Sequence, residues 1–178
     1  MSKVNVAVVG VTGAVGEVML EILESRDFPV DTLYPLASAR SAGKSVQFRG
    51  KRHVVQDLSE FDFSQTQIAL FSAGGDISAE FAPIAASAGC VVIDNTSHFR
   101  RDDDIPLVIP EVNPQAISHT SIEASLPTPN CSTIGMLVAL KQSMMLLASI
   151  ELTWRPTKQS VAPARPRSRN SQVRRHDC

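Results

Sequence analysis

The sequence predicts an α/β protein in which helices cover both faces of a doubly wound parallel sheet. Short runs rich in valine, isoleucine and leucine recur along the first half of the chain. Amphipathic segments alternate with these runs, and glycine-containing turns separate them. A strand that is buried on both faces has such a continuous apolar run, and strands that alternate with helices pair in parallel.

The first elements can be assigned in order. Val4 to Val9 is a valine-rich run interrupted only by Asn5, which predicts the first strand. Apolar residues then recur every three or four positions from Ala14 to Ser25, which predicts an amphipathic helix. Leu33 to Ser38 predicts a second strand, and the apolar-polar alternation around Arg49-Gly50-Lys51 predicts a β-hairpin.

Two more strands and one helix follow. The segment QIALFSAGG, residues 67–75, predicts a buried strand that ends in small residues. The segment ISAEFAPIAASAG predicts a helix in which Pro83 is unfavourable and at which Gly89 is the expected stop. The segment CVVIDNTS predicts a further strand, with Cys90 in the core.

Composition limits the class of protein. The chain has 178 residues, of which 43% are hydrophobic and 20% charged, so it is long enough for one domain with a sizeable core. A net charge of −1 gives no overall basic field for nucleic acid or an anionic membrane. No signal peptide or membrane span is expected. Cys90, Cys131 and Cys178 are widely separated, which indicates reduced thiols in a cytoplasmic protein and predicts no metal site.

A glycine-rich loop connects the first strand to the first helix. Gly10, Gly13 and Gly16 follow the pattern G-x-x-G-x-x-G. Glycines in this setting let the backbone approach a pyrophosphate, which then accepts hydrogen bonds from the N–H groups at the start of the helix. The loop therefore predicts a Rossmann-like nucleotide site, with an ordinary strand-to-helix turn as the alternative.

The end of the second strand indicates which dinucleotide would bind. A site that prefers NAD carries an acidic residue there for the ribose hydroxyls. This chain instead reads LASARSAGK, in which Ser38, Arg40, Ser41 and Lys44 suit a 2′-phosphate. The loop predicts NADP as the cofactor; the alternative is a solvated surface turn.

Cys131 lies at the predicted start of a helix. Asn130 is a favourable N-cap, and Ile134, Leu137 and Val138 would form one apolar face. A thiol at the positive end of a helix dipole is stabilised as the thiolate, which makes it a nucleophile. The alternative is a buried, inert cysteine.

A polar segment, NTSHFRRDDDIPLVIPEVN, follows the last predicted strand. Arg100 and Arg101 offer planar donors suited to phosphate or carboxylate. They could instead pair with the aspartates at 102–104 on a solvated loop. His98 is a possible base, although a histidine on a polar loop is more often simply exposed.

Together these motifs resemble those of aspartate-semialdehyde dehydrogenase over about residues 3–141. The resemblance is carried by VAVVGVTGAVGEVMLEILESRDFP, LASARSAGK, FSAGG, DNTSHFRRDDDIPLVIPEVN and PNCSTIGMLVALK. It implies NADPH-dependent conversion of L-aspartyl 4-phosphate to the semialdehyde through a cysteine thioester, with release of phosphate. This reaction belongs to lysine, methionine and threonine biosynthesis. The resemblance also implies a cytoplasmic homodimer.

The resemblance assigns roles to particular residues. Cys131 corresponds to the nucleophile, Arg100 binds the substrate phosphate, and Asn130 lies beside the substrate. NADP binding falls to Thr12, Gly13, Ala14, Val15, Arg40 and Ser41. The family usually has glutamine where this chain has Gly135, and a glycine inside a helix costs about 1 kcal/mol relative to alanine.

The resemblance also suggests how the chain is divided. An NADP-binding domain is expected at residues 1–130, and the start of an α+β catalytic and dimerisation domain, truncated here, at residues 131–141. The basic tail at residues 142–178 has little apolar periodicity and is expected to be disordered. A reading-frame shift between Lys141 and Leu152 is the preferred explanation of the tail.

Activity of this chain alone is expected to be low. The family's catalytic histidine and its arginine for the substrate carboxylate lie beyond the point at which the resemblance ends. Loss of a general base alone lowers a rate by about 10²–10⁴-fold. NADP binding is expected to be weak. The alternatives are another acyl-phosphate reductase, such as one acting on N-acetylglutamyl phosphate, and a non-catalytic nucleotide-binding module.

Overall fold

The structure is a computed structural model that describes residues 3–103, 105–119 and 125–146. Its helices and strands begin and end as follows: β1 Val4–Val9, α1 Ala14–Ser25, β2 Val30–Ala37, β3 Ser45–Phe48, β4 Lys51–Val54, β5 Gln56–Asp57, β6 Ile68–Phe71, α2 Gly75–Ser87, β7 Val91–Asp94, β8 Ser125–Pro127 and α3 Cys131–Leu146. Short 3₁₀ turns lie between some of them, including one at His98–Arg101.

Six strands form one parallel sheet in the order β5-β2-β1-β6-β7-β8. This topology confirms the predicted α/β class with a Rossmann-like parallel sheet. The predicted hairpin is also present, because β3 and β4 pair antiparallel across Arg49 and Gly50. Both turn residues have left-handed backbones, with φ of 50° and 71°, as a two-residue hairpin turn requires.

Two hydrophobic cores lie on opposite faces of the sheet. Alternate residues of β1 point to different faces, so Ala7 and Val9 contribute to one core and Val6 and Val8 to the other. Helix α2 covers the first core and helix α1, through Leu20, covers the second. Because both faces of β1 are covered, the strand is apolar almost throughout.

The boundaries of most elements agree with the sequence pattern. Helix α1 has the predicted bounds, whereas β2 begins three residues before the predicted Leu33, because Val30 pairs with Val4. Pro83 lies inside α2, at an exposed position. The helix stops at Gly89, whose φ is 85° and whose N–H donates to the Ala86 carbonyl at 2.9 Å.

Helix α3 differs from the other helices in its surroundings. Every side chain from Cys131 to Met144 is half-buried or exposed. Lys141 Nζ donates to the Val112 carbonyl oxygen at 2.8 Å. The disordered tail is predicted for residues 142–178; residues 142–146 continue helix α3, and residues 147–178 lie outside the described residues. Within the described residues, no helix combines the length and apolar character needed to cross a membrane.

Candidate functional site

A cavity of about 330 Å³ opens where β1, β2 and β6 end. The strand order reverses between β1 and β6, since β2 lies on one side of β1 and β6 on the other. Ligands of such sheets bind in the crevice at this position. The cavity brings together six residues that the sequence singled out: Gly10, Thr12, Gly13, Ser38, Arg40 and Ser41. Ala14, Val15 and Gly16 form the first turn of α1 and do not line it.

The three glycines of the first loop differ in how much space a side chain would have. Gly10 has a φ of 85°, and a Cβ there would lie 2.9 Å from the Ala73 backbone nitrogen. A Cβ on the buried Gly16 would lie 2.6 Å from Val11 Cα and closer still to the Gly10 carbonyl oxygen. A Cβ on Gly13 would come no closer than 3.4 Å to its neighbours. Gly10 and Gly16 are therefore needed for backbone packing.

The start of α1 fits an anionic group. Gly13 is the N-cap, and no side chain caps the helix there. The first N–H groups of a helix have no partner within the helix, and they carry the positive end of its dipole. Gly13 also lines the cavity, so the phosphates of a dinucleotide would fit beside this helix end.

Positive charge lies at the end of β2. Arg40 is exposed and lines the cavity with Ser41, whose Oγ accepts a hydrogen bond from Lys44 Nζ at 3.3 Å. Asp57, which pairs with Ala37 across β2 and β5, accepts hydrogen bonds from Ser59 N and Oγ. The cavity lining itself contains no acidic residue.

Cys131 is the first residue of α3, as predicted, and its side chain is exposed. The Asn130 side chain accepts a hydrogen bond from the Ser132 N–H at 3.0 Å, which confirms the predicted N-cap. The Asn130 carbonyl accepts from the Ile134 N–H at 2.9 Å. Exposure of Cys131 excludes the alternative of a buried cysteine.

Cys90 provides the contrast. It is 1% exposed and belongs to the core beneath α2, which confirms the prediction that it is a core residue. Burial raises the pKa of the Cys90 thiol, and a hydrogen bond with Thr66 only partly offsets this effect. Cys90 is therefore poorly placed to react at neutral pH.

Arg100 is half-buried and donates to the main chain. Its Nε donates to the Thr128 carbonyl oxygen at 2.8 Å, and its Nη2 donates to the Asn95 carbonyl oxygen at 3.0 Å. Asn95 directly follows β7 and Thr128 directly follows β8. His98 is exposed, with its ring edge-to-face against Phe99.

Asp94 is a functional candidate that the sequence did not reveal. It is fully buried at the end of β7. Its carboxylate accepts hydrogen bonds from Ser78 Oγ at 3.1 Å, Thr96 N at 2.8 Å and Thr96 Oγ1 at 2.9 Å. Burial of a carboxylate is tolerated only when such donors replace water. Asp94 thus fixes the loop that carries the polar segment. From the sequence, this position is predicted only as part of a strand.

The site has two parts on one edge of the sheet. The cavity follows β1, β2 and β6, whereas Arg100, Asn130 and Cys131 follow β7 and β8. Cys131 does not line the cavity. In the described ranges, no group of three or more His, Cys, Asp or Glu residues could hold a metal ion. The arrangement suits a dinucleotide in the cavity and nucleophilic chemistry at the thiol.

Known proteins have similar sequences. The model of the family described as "Semialdehyde dehydrogenase, NAD binding domain" matches residues 5–120. Aspartate-semialdehyde dehydrogenase 2 of Vibrio cholerae is 65% identical over 137 residues, which are 77% of this chain and 41% of that protein. Aspartate-semialdehyde dehydrogenase of Bacillus subtilis is 53% identical over 138 residues, 77% of this chain and 39% of that protein.

Solved structures share the fold. One is aspartate semialdehyde dehydrogenase II from Vibrio cholerae, crystallised in complex with ASA, with a TM-score of 0.78 and 62% sequence identity. The match spans 81% of this chain and 47% of the Vibrio chain. The Candida albicans enzyme with NADP has a TM-score of 0.69 and 25% identity and covers 84% of this chain and 49% of that chain. The resemblance inferred from the sequence is confirmed, and the chain spans 39–41% of the length of these two curated relatives.

Proposed function

The chain belongs to the semialdehyde dehydrogenase family, and we propose that it is the amino-terminal part of an NADP-dependent aspartate-semialdehyde dehydrogenase. The reaction would convert L-aspartyl 4-phosphate to L-aspartate 4-semialdehyde and phosphate. One observation supports this most strongly: an exposed, N-capped Cys131 lies at the same sheet edge as a cavity suited to a dinucleotide. Neither part alone would distinguish a dehydrogenase from a nucleotide-binding module.

The cavity would hold the nicotinamide dinucleotide. Gly10 and Gly13 both line the cavity, where the pyrophosphate would lie beside the uncapped start of α1. Arg40 and Ser41 would bind the 2′-phosphate, which is the basis for NADP over NAD. Ala14 and the other first-turn residues would contribute backbone N–H groups. When bound, the reduced cofactor supplies the hydride that reduces the acyl group.

Cys131 would carry out the acyl transfer. Its thiolate sulfur attacks the carbonyl carbon of the acyl phosphate, and a carbon–sulfur bond forms. The bond from that carbon to the phosphate oxygen then breaks, and phosphate leaves with the electron pair. Arg100 Nη1, which donates no hydrogen bond within the described residues, would bind the phosphate. Asn130 would lie beside the substrate and hold the start of α3.

The chain matches 39–41% of the length of the two curated relatives. By family resemblance, a catalytic histidine, the arginine for the substrate carboxylate and most of the dimer-forming domain belong to the part of the relatives that the chain does not match. We infer that the chain alone acylates Cys131 but has little or no turnover. The complete enzyme is proposed to be a cytoplasmic homodimer. Residues 142–178 are proposed to arise from a reading-frame shift.

Acylation of Cys131 tests the proposal without requiring turnover. The chain is incubated with L-aspartyl 4-phosphate, quenched in acid and mapped by mass spectrometry. We expect an aspartyl thioester on Cys131 that is absent from Cys131→Ser and retained in Cys90→Ser. N-acetylglutamyl phosphate in the same assay distinguishes the alternative reductase. A chain acylated by neither compound would contradict the proposed function.

The cofactor assignment has its own test. NADPH and NADH binding are compared by nicotinamide fluorescence in wild type, Arg40→Ala and the control Arg52→Ala, which removes an exposed arginine on β4. Loss of a charge-assisted hydrogen bond to the 2′-phosphate should weaken NADPH binding by about tenfold or more and leave NADH binding unchanged. Equal weakening of both dinucleotides would rule out a 2′-phosphate contact at Arg40.

A further inference from the structure

The guanidinium of Arg100 is held by two loops of the main chain. Its Nε–H points to the carbonyl of Thr128, after β8, and its Nη2–H points to the carbonyl of Asn95, after β7. Both bonds are short, at 2.8 and 3.0 Å, and the residue is half-buried. An arginine that only awaited an anionic substrate would not need either bond.

Further hydrogen bonds join the same two loops. The Thr128 N–H donates to the Asp94 carbonyl oxygen at 2.8 Å, and Thr128 Oγ1 donates to Asn95 Oδ1 at 3.1 Å. Asp94 is itself fixed through its buried carboxylate by Ser78 and Thr96. The loop after β8 is therefore tied to Asp94, which is fixed in the core. The two hydrogen bonds of Arg100 tie the same loop to the loop after β7.

This connection ends at the nucleophile. Thr128 is followed by the buried Pro129, whose ring fixes its own φ, and then by Asn130 and Cys131. Asn130 caps α3 with its side chain only while its backbone stays in place relative to Ser132. A shift of the Thr128 carbonyl would also move the Asn130 cap, because Pro129 between them has little conformational freedom.

We propose that Arg100 is a positioning residue for Cys131, holding the loop before α3 so that Asn130 caps the helix and Cys131 keeps its place as the first residue of α3. This role is additional to binding the substrate phosphate, and it rests on the proposed role of Cys131 as the nucleophile. A planar guanidinium can donate to two carbonyls in fixed directions, whereas a lysine ammonium has no such geometry.

The test separates geometry from charge. Alkylation of Cys131 by iodoacetamide at pH 7 is measured by peptide mass spectrometry in the 178-residue chain, for wild type, Arg100→Lys and Arg100→Gln. Arg52→Lys is the control for a change of cationic side chain at an exposed site. Labelling of the buried Cys90 in the same samples reports general loosening of the fold.

We expect Arg100→Lys and Arg100→Gln to slow alkylation of Cys131 alike, by about threefold to tenfold, because both lose the bonds that keep the helix end in place. Cys90 labelling and the Arg52→Lys variant should be unchanged. A Thr128→Val variant, which removes the Oγ1 bonds and keeps the carbonyl, should slow Cys131 in the same direction.

Three results would overturn the proposal. If Cys131 were alkylated at the wild-type rate in Arg100→Lys and more slowly only in Arg100→Gln, the positive charge alone would determine its reactivity. Faster labelling of Cys90 in the Arg100 variants would mean that Arg100 stabilises the whole fold. Wild-type reactivity in Thr128→Val would mean that the loop does not transmit position to Cys131. A wild-type Cys131 no more reactive than a free thiol would instead count against the proposed function.

Discussion

Replacing Gly16 by alanine tests whether the close contact between α1 and the glycine loop determines this part of the fold. The added Cβ would lie 2.6 Å from Val11 Cα and closer still to the Gly10 carbonyl oxygen, and both neighbours are backbone atoms. No side-chain rotation can relieve such contacts, so α1 or the loop must move. The loop that would move also lines the cavity, through Gly10 and Gly13.

The expected change in the free energy of unfolding is the sum of two opposing effects. Overpacking that displaces backbone costs about 3 kcal/mol, whereas alanine in place of a helical glycine contributes about 1 kcal/mol, so the free energy of unfolding should fall by about 2 kcal/mol. Gly135→Ala is the matched control, because Gly135 is also helical and, apart from its own neighbouring helix backbone, no atom of the described residues lies within 4 Å of its added Cβ. That variant should gain up to about 1 kcal/mol.

Urea unfolding followed by circular dichroism measures both variants. The two substitutions should change the free energy of unfolding in opposite directions and differ by about 3 kcal/mol. NADPH binding should weaken in Gly16→Ala and stay unchanged in Gly135→Ala. If Gly16→Ala were as stable as Gly135→Ala, the close packing at α1 would not be the reason for the glycine.

Three further outcomes are expected. Asp94→Ala should lower the free energy of unfolding by about 2–3 kcal/mol, since Ser78 and the Thr96 donors lose a charged acceptor, and an unchanged urea midpoint would contradict the buried network. Because the pKa of the Cys90 thiol is raised in the folded protein, the unfolded chain loses the thiol proton at a lower pH than the folded chain. Stability should therefore fall as pH rises above about 8.5, and less steeply in Cys90→Val; equal slopes would refute this. DNA encoding residues 138–178, read in a shifted frame, should give a dehydrogenase-like continuation, and its absence would disprove the frame-shift hypothesis.

Much of the fold could be predicted because each main element has its own sequence signal. The buried strands β1 and β6 are apolar runs, α1 has helical periodicity, and the hairpin has a turn that suits glycine. Strand β8 could not be found in this way. It has only three residues, Ser125–Pro127, and exists through its pairing with β7, which is distant in sequence.

The candidate site was predictable where function depends on local chain geometry. The glycine spacing before α1 and the Asn130–Cys131 pair at the start of α3 are both readable over a few residues. The network around Asp94 was not, because its donors and its burial come from α2 and the following loop. The hydrogen bond from Arg100 to the Thr128 carbonyl joins positions 28 residues apart, which no local pattern reveals.

The reactivity of Cys131 shows whether the start of α3 activates this thiol. The rate of its alkylation by iodoacetamide at pH 7 is compared with that of N-acetylcysteine amide under the same conditions, with Cys90 as the internal buried reference. A thiol over the start of a helix should react about tenfold faster than the model compound, and Cys90 should react far more slowly than either. If Cys131 reacts no faster than the model compound, the helix does not activate it, and the proposed nucleophile is wrong.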